Sequence, residues 1–123
     1  MERKRISAEL VLEEILDESH KFIYGVRIGI GDVSVGDSFN YLYKIKHYEV
    51  GGKESDNLRE EIYQFREVSL EVKSIKFRGK SVNKVYQGHT AHIELVGNGI
   101  DKIELPNDLL GKIEIVKYGE IKT

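Results

Sequence analysis

Residues 72–97 read VKSIKFRGKSVNKVYQGHTAHIELVG and decide which fold the chain is expected to adopt. Apolar residues alternate with polar ones on both sides of two glycine turns, a pattern typical of antiparallel strands that bury one face. Gly79 and Gly88 are expected at the turns, where the backbone adopts angles that a residue with a Cβ resists. The stretch predicts a barrel or a sandwich. The residues expected on the buried faces are Val68, Leu70, Val72, Ala91, Ile93 and Leu95.

Further strands are predicted on either side of this stretch by the same alternation. Gly31-Asp32 and Gly36-Asp37 separate the first three of them. The polar segment 49–57 is predicted to be a loop. Residues 58–65 fit either a helical turn or the start of the next strand, and periodicity leaves both interpretations open. The predicted strands are 22–30, 33–35, 39–48, 66–77, 90–96 and 112–118.

The N-terminal segment has a different pattern, which predicts the one α-helix of the chain. Ser7 is a suitable N-cap, and the residues after it give an apolar stripe opposite an acidic face. We therefore expect a single domain over residues 1–123, with a helix within 1–20, a β-barrel over 21–118 and a tail at 119–123. The stripe consists of Ala8, Val11, Leu12, Ile15 and Leu16, and the acids are Glu9, Glu13, Glu14 and Asp17.

Composition narrows the classes of function. The chain of 123 residues has a formal net charge of −2, so any nucleic-acid contact must come from a local patch and not from bulk charge. It contains no cysteine, which suits a reducing compartment, and no apolar run long enough to span a membrane. We expect a cytoplasmic protein. The abundance of Lys, Glu and Ile is typical of a thermophile.

Three sequence motifs indicate a resemblance to a known protein family. Residues 31–37 read GDVSVGD, residues 72–97 combine Val-x-Ser-Ile, Gly-Lys-x-Val and a closing strand that ends at a glycine, and residues 106–110 read PNDLL. In this order and spacing they resemble the second-domain β-barrel of translational GTPases of the elongation factor Tu, elongation factor 1-alpha and initiation factor 2 type. The resemblance covers about residues 22 to 115. It implies an antiparallel, Greek-key-like barrel, with Asn107 adopting the left-handed backbone of the glycine that the family has there.

The GTPase itself has no counterpart in the chain. A phosphate-binding loop needs Gly-x-x-x-x-Gly-Lys-[Ser/Thr] between a strand and a helix. The glycines from Gly25 to Gly36 have a different spacing and precede a strand pattern. Gly36-Asp37-Ser38 resembles an esterase nucleophile block, but the chain is too short for that layered fold. We therefore expect no enzyme activity, no catalytic residue, no cofactor and no nucleotide.

The candidate site is a cluster of cations in the same stretch that predicts the fold. If the strand continues past the glycine, Lys76, Arg78 and Lys80 share one face. Two aromatic side chains, of Phe77 and Tyr86, are interleaved as surfaces on which bases could stack. The alternative is a solvated edge strand whose lysines discourage edge-to-edge pairing. The candidate RNA-binding residues are Lys73, Lys76, Arg78, Lys80, Lys84, Tyr86, His89 and His92.

The family resemblance implies what such a patch contacts. In that family, one face of the second domain contacts the acceptor end of aminoacyl-tRNA and another contacts the small ribosomal subunit. At positions matching the aminoacyl pocket, this chain has Lys76 in place of an acid and His92 in place of a glycine. A pocket of the usual shape is therefore not expected, whereas a contact with phosphates is favoured by the added charge.

Two hypotheses for function follow. The first is a non-enzymatic, translation-factor-like module that binds RNA or a ribonucleoprotein such as the ribosome. The alternative is a protein-interaction or self-assembly module that docks a partner through the N-terminal helix or loop 49–57. No metal is expected, because His89 and His92, three residues apart, would lie on opposite faces of a strand. No membrane contact is expected either.

Overall fold

The computed structural model describes residues 2–17, 22–49, 58–106 and 108–117. These residues are almost entirely in strands, and none of them is in an α-helix. None forms an apolar helix of the length that crosses a membrane. One short 3-10 helix spans Ile100–Lys102. The strands are β1 Glu2–Asp17, β2 Ile23–Ile30, β3 Val33–Ser34, β4 Ser38–Glu49, β5 Leu58–Phe77, β6 Lys80–Val82, β7 Lys84–Val85, β8 Thr90–Asn98 and β9 Leu109–Lys117.

Seven strands form one antiparallel sheet in the order β4-β9-β1-β2-β8-β5-β6. The sheet closes in a ring because β5, twenty residues long, pairs with β4 along its first part and with β8 and β6 along its last. The strands β3 and β7 form a separate small sheet. The all-β, antiparallel prediction is confirmed. The ring encloses one main core, whose largest fully buried side chains include Phe39, Ile75 and Leu110.

The predicted N-terminal helix is wrong, because this segment is the long strand β1. The register of β1 against its neighbours shifts between Ile6 and Ala8, between Leu12 and Glu14 and between Ile15 and Asp17. Each such bulge adds one residue and moves the next side chain to the other face. Leu12 and Ile15, on either side of one bulge, are therefore three residues apart although both pack on the main core, which is a helical spacing. The predicted stripe in fact mixes residues of the main core with Val11, which packs on the opposite face.

Other predictions from the sequence are confirmed. The residues expected on the buried faces, from Val68 to Leu95, all lie in or against the main core. Gly36 and Gly79 have φ of 94° and 79°, values that a side chain rarely adopts. Residues 58–65 belong to a strand and not to a helical turn. Most of the predicted loop 49–57, residue 107 with its predicted backbone, and the predicted tail 119–123 lie outside the described residues.

A buried ion cluster fixes the loop between β8 and β9. Asp108, fully buried, accepts two hydrogen bonds from the Arg66 guanidinium at 2.8 and 2.7 Å and one from the Glu104 backbone N–H at 2.6 Å. The Lys44 ammonium lies 2.9 Å from the same carboxylate. Burial alone would raise the pKa of Asp108, but these donors outweigh it and hold the pKa below its usual value. The cluster therefore ties the loop to both β4 and β5.

Candidate nucleic-acid interface

Lys76 and His92 stand opposite each other on neighbouring strands, within a row that crosses the outer surface of the ring. Glu14 on β1 pairs with Gly25 on β2, Gly25 pairs with His92 on β8, and His92 pairs with Lys76 on β5. Residues paired across antiparallel strands point to the same face. The row therefore brings an acid, a glycine, a histidine and a lysine together on one surface, although they are far apart along the chain.

A groove of about 430 Å³ runs along this row. Gly25 forms part of its floor, because it has no side chain to fill the space between β1 and β8. The side chain of Glu14 lies across this glycine, and a Cβ added at Gly25 would meet Glu14 Cγ at 3.1 Å. The volume is in the range of small-ligand sites, which bury most of the molecule they bind. Its lining residues are Glu13, Glu14, Gly25, Val26, Lys76, Phe77, Arg78, Gly79, His89, Thr90, Ala91 and His92.

The end of β5 places the second cation of the groove. Arg78 and Gly79 form the two-residue turn between β5 and β6, and both have positive φ, 53° and 79°. This is the backbone of a hairpin turn that follows the twist of its strands. The Arg78 guanidinium carbon lies 5.1 Å from the centre of the Phe77 ring, and that ring meets His89 edge to face at 5.3 Å. Aromatic contacts thus hold the guanidinium and one histidine at the mouth of the groove.

Charges of both signs line the groove. Lys76 and Arg78 contribute cations at the β5 side, and Glu13 and Glu14 contribute carboxylates at the β1 side. Within the described part of the chain, no ion pair joins these acids to these cations. All four side chains are exposed. Both sets of charges are therefore open to a ligand, which can place an anion at one side and hydrogen-bond donors at the other.

Four of the predicted site residues meet at the groove, namely Lys76, Arg78, His89 and His92. His92 lies on β8, whereas His89 precedes that strand and belongs to the turn. The prediction that Lys80 shares the face of Lys76 rested on a continuing strand. The strand instead turns at Arg78, and Lys80 pairs with Phe77, which puts it on the other face.

The remaining predicted residues lie away from the groove. Lys73 sits at a bulge of β5, and its ammonium is 3.9 Å from the carboxylate of Glu94 on β8. Lys84 belongs to the small sheet, where its ammonium lies 5.4 Å from the centre of the exposed Tyr86 ring. It is also 3.9 Å from Asp32, an exposed pair of small energetic weight. None of these three residues lines the groove.

Sequence reasoning missed the acidic side of the groove. Glu13 and Glu14 were interpreted as the acidic face of a helix, and Gly25 was considered only as a possible glycine of a phosphate-binding loop. Arg27 was also missed; it is exposed and pairs with Thr90, one row away from Gly25 on the same outer face. The one sequence signal for the acids is their position within an alternating apolar segment, which the bulges of β1 disguise. No cluster of residues suited to a metal ion occurs in the described ranges.

The comparisons with known proteins agree with this architecture. No protein-family profile and no curated protein sequence matches the chain. Among solved structures, the chain is similar to translation elongation factor SelB from Methanococcus maripaludis in its apo form, with a TM-score of 0.55 and 18% sequence identity. The match covers 85% of this chain and 18% of that chain. The predicted resemblance to a translation factor is therefore confirmed at the level of the fold, and it corresponds to a small part of the larger protein.

Proposed function

We propose that this chain is a translation-factor-like module that binds RNA, or a ribonucleoprotein such as the ribosome, without catalysing a reaction. Its closed sheet is, on this proposal, a β-barrel of the translation-protein type. The observation that carries the proposal is the pair of exposed cations, Lys76 and Arg78, at one side of a groove in which no described ion pair neutralises them. A role in translation would place the protein in the cytoplasm.

Phosphates are the groups that such cations suit best. A guanidinium binds a phosphate through two parallel hydrogen bonds, and an ammonium contributes a point charge. His92, opposite Lys76, adds an imidazole N–H donor. Since the chain has a net charge of −2, overall attraction to RNA is weak and a local site must supply the affinity. The similarity of the fold to that of translation elongation factor SelB supports this choice of partner, because SelB acts in translation.

The site also differs from the pocket that the family resemblance implies. Lys76 and His92 occupy the positions at which that pocket has an acid and a glycine, and they now face each other across the groove. The first replacement turns an acid into a cation, and the second adds bulk. The proposed contact is therefore with the RNA backbone, and an aminoacyl group is not part of the proposal.

The test is the affinity for a structured RNA, measured by fluorescence anisotropy over a series of salt concentrations. The double variant Lys76→Glu with Arg78→Glu is compared with the wild type. Each phosphate contact releases counterions, so loss of two contacts should reduce the slope of log K against log salt by about 1.5 to 2. The matched control is Lys46→Glu with Lys112→Glu, which changes the charge equally at exposed positions outside the groove.

Three outcomes separate the hypotheses. A loss confined to the groove variant supports the proposal. Equal losses in both double variants show that only bulk charge matters and that the groove has no role. If the wild type binds no RNA at low salt, the protein-interaction alternative replaces the proposal, although not through an N-terminal helix, since that segment is a strand.

A further inference from the structure

We propose that the groove holds an unpaired nucleotide and selects a base that carries an exocyclic amino group, as cytosine does, through the carboxylate of Glu14. This inference rests on the proposed RNA binding and adds to it the chemistry by which the ligand is selected. It concerns the acidic side of the groove, which a purely phosphate-binding surface would not need. Carboxylates repel phosphate, so their presence beside two cations requires a ligand with more than anionic groups.

The register of the sheet sets the distance between the two kinds of charge. Glu14 and Lys76 are separated by Gly25 and His92, which amounts to three strand spacings, or about 14 Å between Cα atoms. Both side chains extend from the same outer face. The space between them suits a nucleotide lying across β2 and β8, with its phosphate at Lys76 and Arg78 and its base edge toward Glu14.

Gly25 is the residue that keeps this space open. It lies between the two sides, and the Glu14 side chain passes over it with Cγ at 3.1 Å from the position of an added Cβ. Any side chain at this position would displace Glu14 or fill the floor of the groove. The glycine thus allows the carboxylate to lie along the floor, where it meets a ligand from below and from the side.

The carboxylate distinguishes bases by the direction of the hydrogen bond. It is acceptor-only when ionised, so it binds the N4 amino group of cytosine. Uracil has a carbonyl oxygen at the same place on its ring, and two acceptors repel each other. In an A-form duplex the cytosine amino group lies in a deep, narrow groove that side chains do not reach, and the second strand would bring further phosphates toward Glu13 and Glu14. The groove therefore favours single-stranded RNA with an amino-bearing base.

The acidic side lies outside the stretch of sequence that carries the translation-factor resemblance. That resemblance begins near Phe22, whereas Glu13 and Glu14 lie on β1. The bulge between Leu12 and Glu14 is what turns both acids toward the groove. The selectivity proposed here is thus a consequence of how β1 pairs with β2.

The experiment compares oligocytidine with oligouridine of equal length, each labelled and titrated with the full chain. Equal length matches the number of phosphates, and the Glu14→Gln variant separates the contribution of the base edge from the different stacking of the two strands. The wild type should bind oligocytidine at least about fivefold more tightly. Glu14→Gln should bring the ratio close to one, because an amide can both accept from cytosine and donate to uracil.

The control is Glu71→Gln, which removes the same charge at an exposed position outside the groove and should leave the ratio unchanged. If the wild type binds both strands equally, or if Glu14→Gln strengthens both equally, the acids only repel phosphate and the inference is overturned. Either result would leave the proposed RNA binding standing. Absence of binding to either strand and to structured RNA at low salt would overturn both.

Discussion

Lys80 lies directly opposite Phe77 across the turn that joins β5 to β6, so it projects from the other face of the sheet from Lys76. The reason is the turn itself, in which Arg78 and Gly79 occupy the two central positions. Phe77 packs against the main core, and Lys80 extends into solvent at its edge. The cationic residues that are continuous in sequence are therefore divided between two surfaces.

Because Lys76 and Lys80 lie on different faces, replacing each of them by glutamate should affect RNA binding unequally. Lys76→Glu should weaken RNA binding by about tenfold, since it removes a cation from the groove and places an acid opposite His92. Lys80→Glu should weaken it no more than about twofold, as a reversal at exposed Lys112 should. Anisotropy titration of the three single variants at one low salt concentration measures this. An equal loss at Lys76 and Lys80 would contradict the assignment of the groove.

Arg78, which lines the groove, has a strained backbone conformation. Its φ of 53° is left-handed, a conformation that costs a side chain about 1 to 2 kcal/mol and that asparagine tolerates better. Arg78→Asn should therefore raise the free energy of unfolding by about 0.5 to 1 kcal/mol while weakening RNA binding. Urea denaturation measures the first effect and anisotropy the second. A variant that loses both stability and binding would show that the contact with Phe77 outweighs the strain.

The Arg66–Asp108 cluster predicts the acid sensitivity of the fold. The pKa of Asp108 in the folded chain is lowered, so its contribution to stability is complete above the ordinary aspartate pKa of about 3.9 and is lost as the pH falls below it. Asp108→Asn leaves Arg66 without its buried carboxylate and should reduce the free energy of unfolding near neutral pH by about 3 kcal/mol. Denaturant titrations at several pH values should also show a smaller acid dependence in the variant. An unchanged dependence would place the acid-sensitive group elsewhere.

Substitutions at two glycines with positive φ allow the stability cost of backbone strain to be measured separately from the cost of steric overlap. Gly36, at φ 94°, has open space around an added Cβ, so Gly36→Ala should cost only the strain, about 1 to 2 kcal/mol. Gly97, at φ 129°, lies against the backbone of β5, where the same Cβ would overlap the carbonyl oxygen of Ser69. Gly97→Ala should therefore lose more than Gly36→Ala, by at least about 2 kcal/mol. The comparison of denaturation midpoints checks this, and equal losses would contradict it.

Much of the fold could be predicted from the sequence because its determinants are local. Alternation of apolar residues marks β2, β4, β5 and β8, and the glycines at positive φ mark the turns between them. The N-terminal strand could not be recognised, because its bulges give buried positions a helical spacing. Bulges depend on how a strand meets its neighbours, and that information is not local to the segment.

The candidate site could be predicted only in part for the same reason, because some of its residues meet only through strand pairing. Its cations could be found because Lys76 and Arg78 lie close together in sequence, within residues 72–93, which contain no acid. Its acids could not be found, because Glu14 reaches the groove only through the pairing of β1 with β2 and of β2 with β8. Likewise, whether Lys80 joins the site depends on the point at which β5 turns.

The sequence by itself determined which segments bury an apolar face, which positions require glycine and which part of the chain is rich in cations, since each of these depends on residue type and short-range spacing. Only the tertiary structure decided which side chains meet on one surface. The sheet places β1 beside β2 and β8 between β2 and β5, and the register of these four strands aligns Glu14, Gly25, His92 and Lys76 in one row. Register is a property of strands paired over long separations, and it is fixed by the packing of the whole core.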